Sequence, residues 1–114
     1  MPRLSLIVGV FNAEKTLPLL FQSIEQVAEH ESVSWEAILV DNNSRDGSLP
    51  LLRDFAARSK LPVIVLEEKR QGVSFARNAG LRAASGDILA IVDSDCVLAR
   101  EWGAGTVPLP AGPG

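Results

Sequence analysis

Short runs of apolar residues alternate along this chain with stretches of helical periodicity. Leu4 to Val10 is a continuous run rich in branched residues and reads as a buried strand. From Lys15 to Glu29 the spacing changes: Leu17, Leu20, Ile24 and Val27 recur on one helical face, with Pro18 tolerable only in a first turn. Trp35 to Val40 is the second strand and runs into Asp41. Ser48 is placed to cap a second helix, with Pro50 in its first turn and Leu52, Phe55 and Ala56 on its inner face to about Ser59. Pro62 to Leu66 reads as a third strand, Val73 to Ala84 as a third helix, and Ile88 to Val92 as a fourth strand.

Strands that are apolar throughout, each followed by a helix, belong to a parallel sheet covered on both faces, and the crossovers between them should be right-handed. The class is therefore α/β. Residues 103–114 hold four Gly, three Pro and no charge, and the sequence there predicts a disordered tail after a folded part spanning 1–102.

Composition narrows the function by exclusion. At 114 residues the chain is one domain at most, burying roughly 65% of the surface its unfolded form exposes. A net charge of −3 with 22% charged residues gives no basic footprint for nucleic acid. The apolar runs fall far short of the ~20 residues a membrane helix needs. Met1-Pro2-Arg3 and the apolar run after it imitate a signal peptide, but Asn12 interrupts at once and the run serves better as a strand. Cys96 is the one cysteine and makes no internal disulfide, which suits a reducing cytosol. The expected location is cytoplasmic, with the inner face of a membrane as the alternative station.

The chemistry gathers where strands end. Ile88 to Val92 delivers Asp93-Ser94-Asp95, two carboxylates one residue apart at the end of a buried strand. Mg²⁺ and Mn²⁺ take hard oxygen ligands, and one or two carboxylates plus a substrate's phosphates suffice. Two further polar strand ends are Phe11-Asn12 and Asp41-Asn42-Asn43. A further motif, Gly72-Val73-Ser74-Phe75-Ala76-Arg77-Asn78-Ala79-Gly80, opens the third helix.

These motifs, taken with Ser44-Arg45-Asp46-Gly47 and Ala84-Ser85-Gly86-Asp87, resemble in order and spacing the family 2 glycosyltransferases over residues 4 to about 102. The resemblance implies a Rossmann-like three-layer α/β/α sandwich of the GT-A type, with parallel strands in the order 3-2-1-4. It implies a nucleotide-diphosphate sugar as donor, most simply a UDP-sugar, and transfer with inversion to a saccharide, lipid or protein acceptor. Strand order reverses beside strand 1, where open α/β sheets bind ligands. By resemblance, Asp41 accepts hydrogen bonds from the base, as an acceptor-only carboxylate can. Phe11 flanks the base where relatives often carry Tyr, and Asn12, whose amide should fix the loop, and Asn42 are expected in the same substrate-binding set. Arg77 and Asn78 face the diphosphate, Asp93 faces ribose or metal-bound water, and Asp95 is the ligand of a Mg²⁺ or Mn²⁺ ion.

The departures are also informative. Asn42 stands where many relatives have a second Asp. In the family the acceptor site and the general base lie in a later half, and nothing after Trp102 supplies them. The chain is expected to be a truncated donor-binding half, with no catalytic base of its own and doubtful turnover alone. A sugar nucleotidyltransferase would carry a Gly-rich basic loop after strand 1, which Gly9 to Glu14 is not. A phosphatase of the Asp-x-Asp type would place its pair after the first strand, and a dinucleotide-dependent oxidoreductase would need G-x-G-x-x-G there. A non-catalytic nucleotide-binding fragment stays open as the alternative.

Blander roles fit other residues. Asp46-Gly47 should build a turn, Gly80 should let helix and sheet approach, and Gly86-Asp87 should turn into the fourth strand. His30 suits a helix C-terminus. Cys96 reads as a small residue past the metal loop, Trp35 as packing, and Trp102 as packing within reach of the sugar. In the 3-2-1-4 order strand 4 is an apolar edge, which invites self-association.

Overall fold

The computed structural model describes residues 3–30 and 34–94. Asp95, Cys96, Trp102 and the 103–114 stretch lie outside the described residues, as do the expectations placed on them. In chain order the elements are β1 (Arg3–Val10), α1 (Leu17–His30), β2 (Ser34–Asp41), α2 (Ser48–Arg58), β3 (Val63–Glu67), α3 (Val73–Ala83) and β4 (Ile88–Asp93). Each expected element is present, with ends shifted by a residue or two. The largest shift is at α1, which opens at Leu17 because Ala13 to Thr16 forms a separate turn; the Ala13 carbonyl accepts from the Thr16 and Leu17 N–H groups, both at 3.0 Å. Pro18 thus falls in the first turn of α1, where its missing N–H costs nothing.

The sheet is parallel throughout, in the order β3-β2-β1-β4. Side-chain alternation divides it into two faces. Leu4, Leu6, Val8 and Val10 of β1 and Trp35, Ala37 and Leu39 of β2 pack against Leu17, Leu20, Ile24 and Val27 of α1 and Leu52 and Phe55 of α2. Phe21 and Phe55 stack with centroids 4.2 Å apart, tying α1 to α2. On the opposite face, Ile7, Ile38 and Val40 pack on Ala76, with Ala79, Ala83 and Ile91 beside them. The helices therefore form two outer layers, α1 and α2 on one side and α3 on the other.

The α3 layer sits close because its inner side chains are small. A Cβ on Gly80 would overlap the Ile7 side chain and touch Val40 at 3.5 Å, so the glycine sets the helix–sheet distance. Among the described residues one short helix packs on that face, and the expectation of strands covered on both sides holds there for β1 and β2. At the edges Ile64 of β3 and Ile88 and Leu89 of β4 stay exposed.

The amino-terminal end of the sheet is held by a buried carboxylate. Glu36 is 3% exposed; it accepts from Ser5 Oγ at 2.5 Å and from the Ser85 N–H and hydroxyl at 2.8 and 3.0 Å, with Arg3 at 3.6 Å. Burial pushes this carboxyl upward, but the Ser5 and Ser85 hydrogen bonds and the Arg3 charge outweigh it and hold the pKa below the ordinary value. Gly86 lies against Ser5 and the Arg3 carbonyl, and the Asp87 N–H donates to that carbonyl at 2.8 Å. This is the expected turn into β4.

Among the described residues no helix is long and apolar enough to cross a membrane.

Candidate functional site

The carboxyl ends of β1, β2 and β4 lie side by side, and the register fixes their offsets. Val10 pairs with Asp41 on one flank of β1, and Gly9 pairs with Asp93 on the other. The two aspartates thus bracket the tip of β1 where the strand order reverses, the usual ligand position in an open α/β sheet. A hollow of about 710 Å³ opens there. Its wall includes Gly9 and Val10 of β1, the loop Phe11 to Thr16, Asn42, Asp46, Val73 and Ala76 of α3, and Ser94. Phe11 and Val73 bring exposed apolar surface to it, 49% and 56% accessible respectively.

Hydrogen bonds between two loops hold this rim. The Asn12 N–H donates to Ser44 Oγ at 2.9 Å, and the Asn12 side-chain oxygen accepts from the Arg45 N–H at 2.8 Å. Asn12 manages both because it adopts φ 48°, a left-handed conformation that asparagine tolerates. The Ala13 N–H donates to Ser48 Oγ at 2.8 Å. Glu14 and Asp46 complete a reciprocal clasp: the Glu14 N–H donates to Asp46 at 3.2 Å, and the Gly47 N–H donates to Glu14 at 2.9 Å. The amide of Asn12 does fix a loop.

Ser48 needs correcting as the cap of α2. Gly47 occupies the N-cap position without a side-chain cap bond, and the Ser48 N–H donates instead to Asp46 Oδ1 at 2.9 Å. The Ser48 hydroxyl is buried and engaged by Ala13, so Asp46 does the capping. That builds the turn expected of Asp46-Gly47. Burial pushes the Asp46 carboxyl up, but the bonds from Ser48 and Glu14 prevail and its pKa falls below the ordinary value.

Asp41 is buried at 3% exposure. Its Oδ2 accepts from the Ser44 N–H at 3.2 Å, while Oδ1 has no hydrogen-bond partner among the described residues. A buried carboxylate oxygen left open is costly, so it marks a place where a donor from outside would be welcome. Asp41 is not itself among the residues lining the hollow, but its register partner Val10 and its chain neighbour Asn42 are.

Asn42, expected among the substrate-binding residues, lines the hollow, and its side chain also makes a set of internal bonds. Its Nδ2 donates to the Glu68 and Arg70 carbonyls at 3.0 and 2.8 Å, and its Oδ1 accepts from the Gly72 N–H at 3.0 Å. Both amide protons are used. The side chain braces the β3–α3 loop, which Gly72 then leaves at φ 140°, a conformation suited to glycine. The same loop is stiffened by Arg70, which chelates Glu68 at 3.1 Å and lies 4.6 Å over the Phe75 ring. The Arg70 hydrogen bonds hold the Glu68 carboxyl at about 2.

Arg77 and Asn78 are exposed on α3 and are not among the residues lining the hollow. Asp93 is placed by its backbone at the end of β4. Among the described residues no three His, Cys, Asp or Glu side chains gather into a metal cage. A Mg²⁺ or Mn²⁺ ion shared with a diphosphate needs no such cage, and the hard oxygen donors of an Asp-x-Asp pair fit either ion. Glu14, Lys15 and Thr16 line the hollow without having been singled out from sequence, and Val73 and Ser94 line it from within motifs that were. They surround strand ends already suspected, and proximity to those ends was the available signal.

Fold and hollow together define a three-layer α/β protein with an open cleft at the switch point beside β1. Residues 5–107 match the model of Glycosyl transferase family 2, and the chain belongs to that family. It is 31% identical over 102 residues to the glycosyltransferase AglE of Haloferax volcanii, covering 90% of this chain and 33% of that protein. It is 39% identical over 93 residues to an undecaprenyl-phosphate 4-deoxy-4-formamido-L-arabinose transferase of Aeromonas hydrophila, covering 80% of this chain and 28% of that protein.

Among solved structures it is similar to S. aureus TarS 1-349 in complex with UDP-GlcNAc, with TM-score 0.75, 28% identity, and 87% of this chain and 28% of that one covered. It is also similar to the mannosyltransferase PcManGT from Pyrobaculum calidifontis in complex with GDP-Man and Mn²⁺, with TM-score 0.71, 30% identity, and 88% of this chain and 30% of that one covered. The fold is thus the GT-A type expected from sequence, strand order included. The chain spans about a third of the length of these curated relatives.

Proposed function

We propose that this stretch is the donor-binding part of a glycosyltransferase, holding a nucleotide-diphosphate sugar, most simply a UDP-sugar, in the hollow at the tip of β1. The observation that carries the reading is the open Oδ1 of buried Asp41 at that tip, because a base N–H would complete it. Phe11 and Val73 offer apolar surface to a planar base beside it. Asp95, with Asp93, would hold Mg²⁺ or Mn²⁺, and the cation would offset charge on the leaving diphosphate. Arg77 and Asn78, exposed on α3 and outside the hollow's lining, would serve the phosphates. Asn42 would act through the loop it braces.

The sugar passes to a saccharide, lipid or protein acceptor with inversion, in the cytoplasm or at the inner face of a membrane. No residue of this stretch is assigned as the general base, whose loss alone typically slows such chemistry about 10²–10⁴-fold. The exposed Ile88 and Leu89 on β4 favour association of two copies, and a mass by light scattering that stays monomeric at all concentrations would count against it.

Calorimetric titration with uridine diphosphate, with and without Mn²⁺, tests the donor site on the intact chain and on Asp95→Ala. Binding should need the metal and weaken at least tenfold in the variant. Metal-independent binding unchanged in Asp95→Ala would refute the assignment.

A further inference from the structure

Thr16 is the residue whose contacts the donor-site reading leaves unused. It stands in the turn before α1, half-buried in the wall of the hollow. Its hydroxyl lies 3.1 Å from the carbonyl oxygen of Ser94 and 3.2 Å from that of Ala13. A hydroxyl has one proton to give. The Ala13 carbonyl already accepts from two backbone N–H groups, of Thr16 and Leu17, each at 3.0 Å. Those two occupy both of its lone pairs, so the Thr16 proton goes to Ser94.

Ser94 is the middle residue of Asp93-Ser94-Asp95, and it follows directly on the last residue of β4. Asp93 is tethered through its register with Gly9, but the ladder ends there. The bond from Thr16 is therefore the contact among the described residues that carries the restraint one residue further, toward Asp95. Its other end is firmly based. Ala13 is anchored to Ser48 at 2.8 Å, and Glu14 is clasped with Asp46 and Gly47.

We propose that Thr16 is a positioning residue for the cation: its hydroxyl latches the Ser94 carbonyl and so restrains the backbone between the two carboxylates assigned to the metal. The inference rests on the donor-site reading and adds to it a residue that acts on the metal through Ser94. Groups that orient metal ligands from behind commonly matter tenfold or more in metal affinity. A rigid presentation also spares the ordering cost when the metal binds.

The test uses the intact chain with Thr16→Val, which keeps the shape and loses the proton, and Thr16→Ser, which keeps the proton. Uridine diphosphate affinity is measured by calorimetry without metal and across a Mn²⁺ series, with thermal unfolding followed alongside. In Thr16→Val the gain in affinity brought by Mn²⁺ should shrink about fivefold to tenfold, metal-free affinity should hold, and Thr16→Ser should restore the gain. A Thr16→Val protein with the full Mn²⁺ gain overturns the latch and leaves the donor site standing. Equal loss with and without Mn²⁺, or a loss that Thr16→Ser does not rescue, also overturns it, because that marks a general packing role. A parent chain with no Mn²⁺-dependent binding refutes the donor-site reading itself, and the latch with it.

Discussion

Replacing Asn42 by alanine separates two roles that look alike in sequence. The side chain is 4% exposed and makes three hydrogen bonds to the β3–α3 loop, at 3.0, 2.8 and 3.0 Å. Each is worth a net ~1 kcal/mol when both partners are satisfied. The loop around Glu68 to Gly72 is partly exposed, so the freed carbonyls of Glu68 and Arg70 recover some hydration. A loss of about 2 kcal/mol in unfolding free energy is therefore expected, lowering the melting temperature by roughly 8 °C for a chain of this size.

Urea denaturation followed by circular dichroism gives the first figure, and a thermal scan gives the second. Amide hydrogen exchange should quicken at Gly72, whose N–H loses its acceptor, more than at the β1–β2 ladder. If Asn42→Ala left stability within ~0.5 kcal/mol of the parent yet lost uridine diphosphate binding, the brace would be refuted. The amide would then be a ligand contact.

Three other perturbations follow from the same contacts. Asp41→Asn keeps an oxygen for the Ser44 N–H but presents an amide NH₂, a donor, where Oδ1 now stands open; stability should change by less than ~1 kcal/mol while uridine diphosphate affinity falls about tenfold, read by calorimetry. Glu36 has its pKa held below 4.5 by the fold. Its contribution to stability is therefore fully present above that value and is lost as pH falls through the lower folded value. Denaturation midpoints measured from pH 6 downward should drop, and the drop should be shallower in Glu36→Gln. Gly80→Ala gains helix propensity but drives its methyl into Ile7, so the protein should lose about 1–2 kcal/mol; a chemical denaturation curve at or above the parent's would show that α3 can simply move away.

Local chemistry made much of this protein legible before any coordinates. Strands buried on both faces must be apolar along their length, so Leu4 to Val10 and Trp35 to Val40 announced themselves, and a chain that alternates such strands with amphipathic helices has little choice but a parallel sheet. The polar residues that end those strands were equally visible, because a carboxylate such as Asp41 or Asp93 stands out after an apolar run. What a polar side chain does once there is another matter. Asn42 meets a loop 26 to 30 residues away, Glu14 meets Gly47 across 33 residues, and Thr16 meets Ser94 across 78. No local periodicity encodes those meetings. They arise because the sheet order brings the tips of β1, β2 and β4 together, and a hydrogen-bonding group's role is decided by whichever partner that assembly leaves within 3 Å. The chain alone specified which elements form and which residues end them; packing decided that Asn42 braces, that Asp46 caps, and that Asp41 keeps an oxygen free.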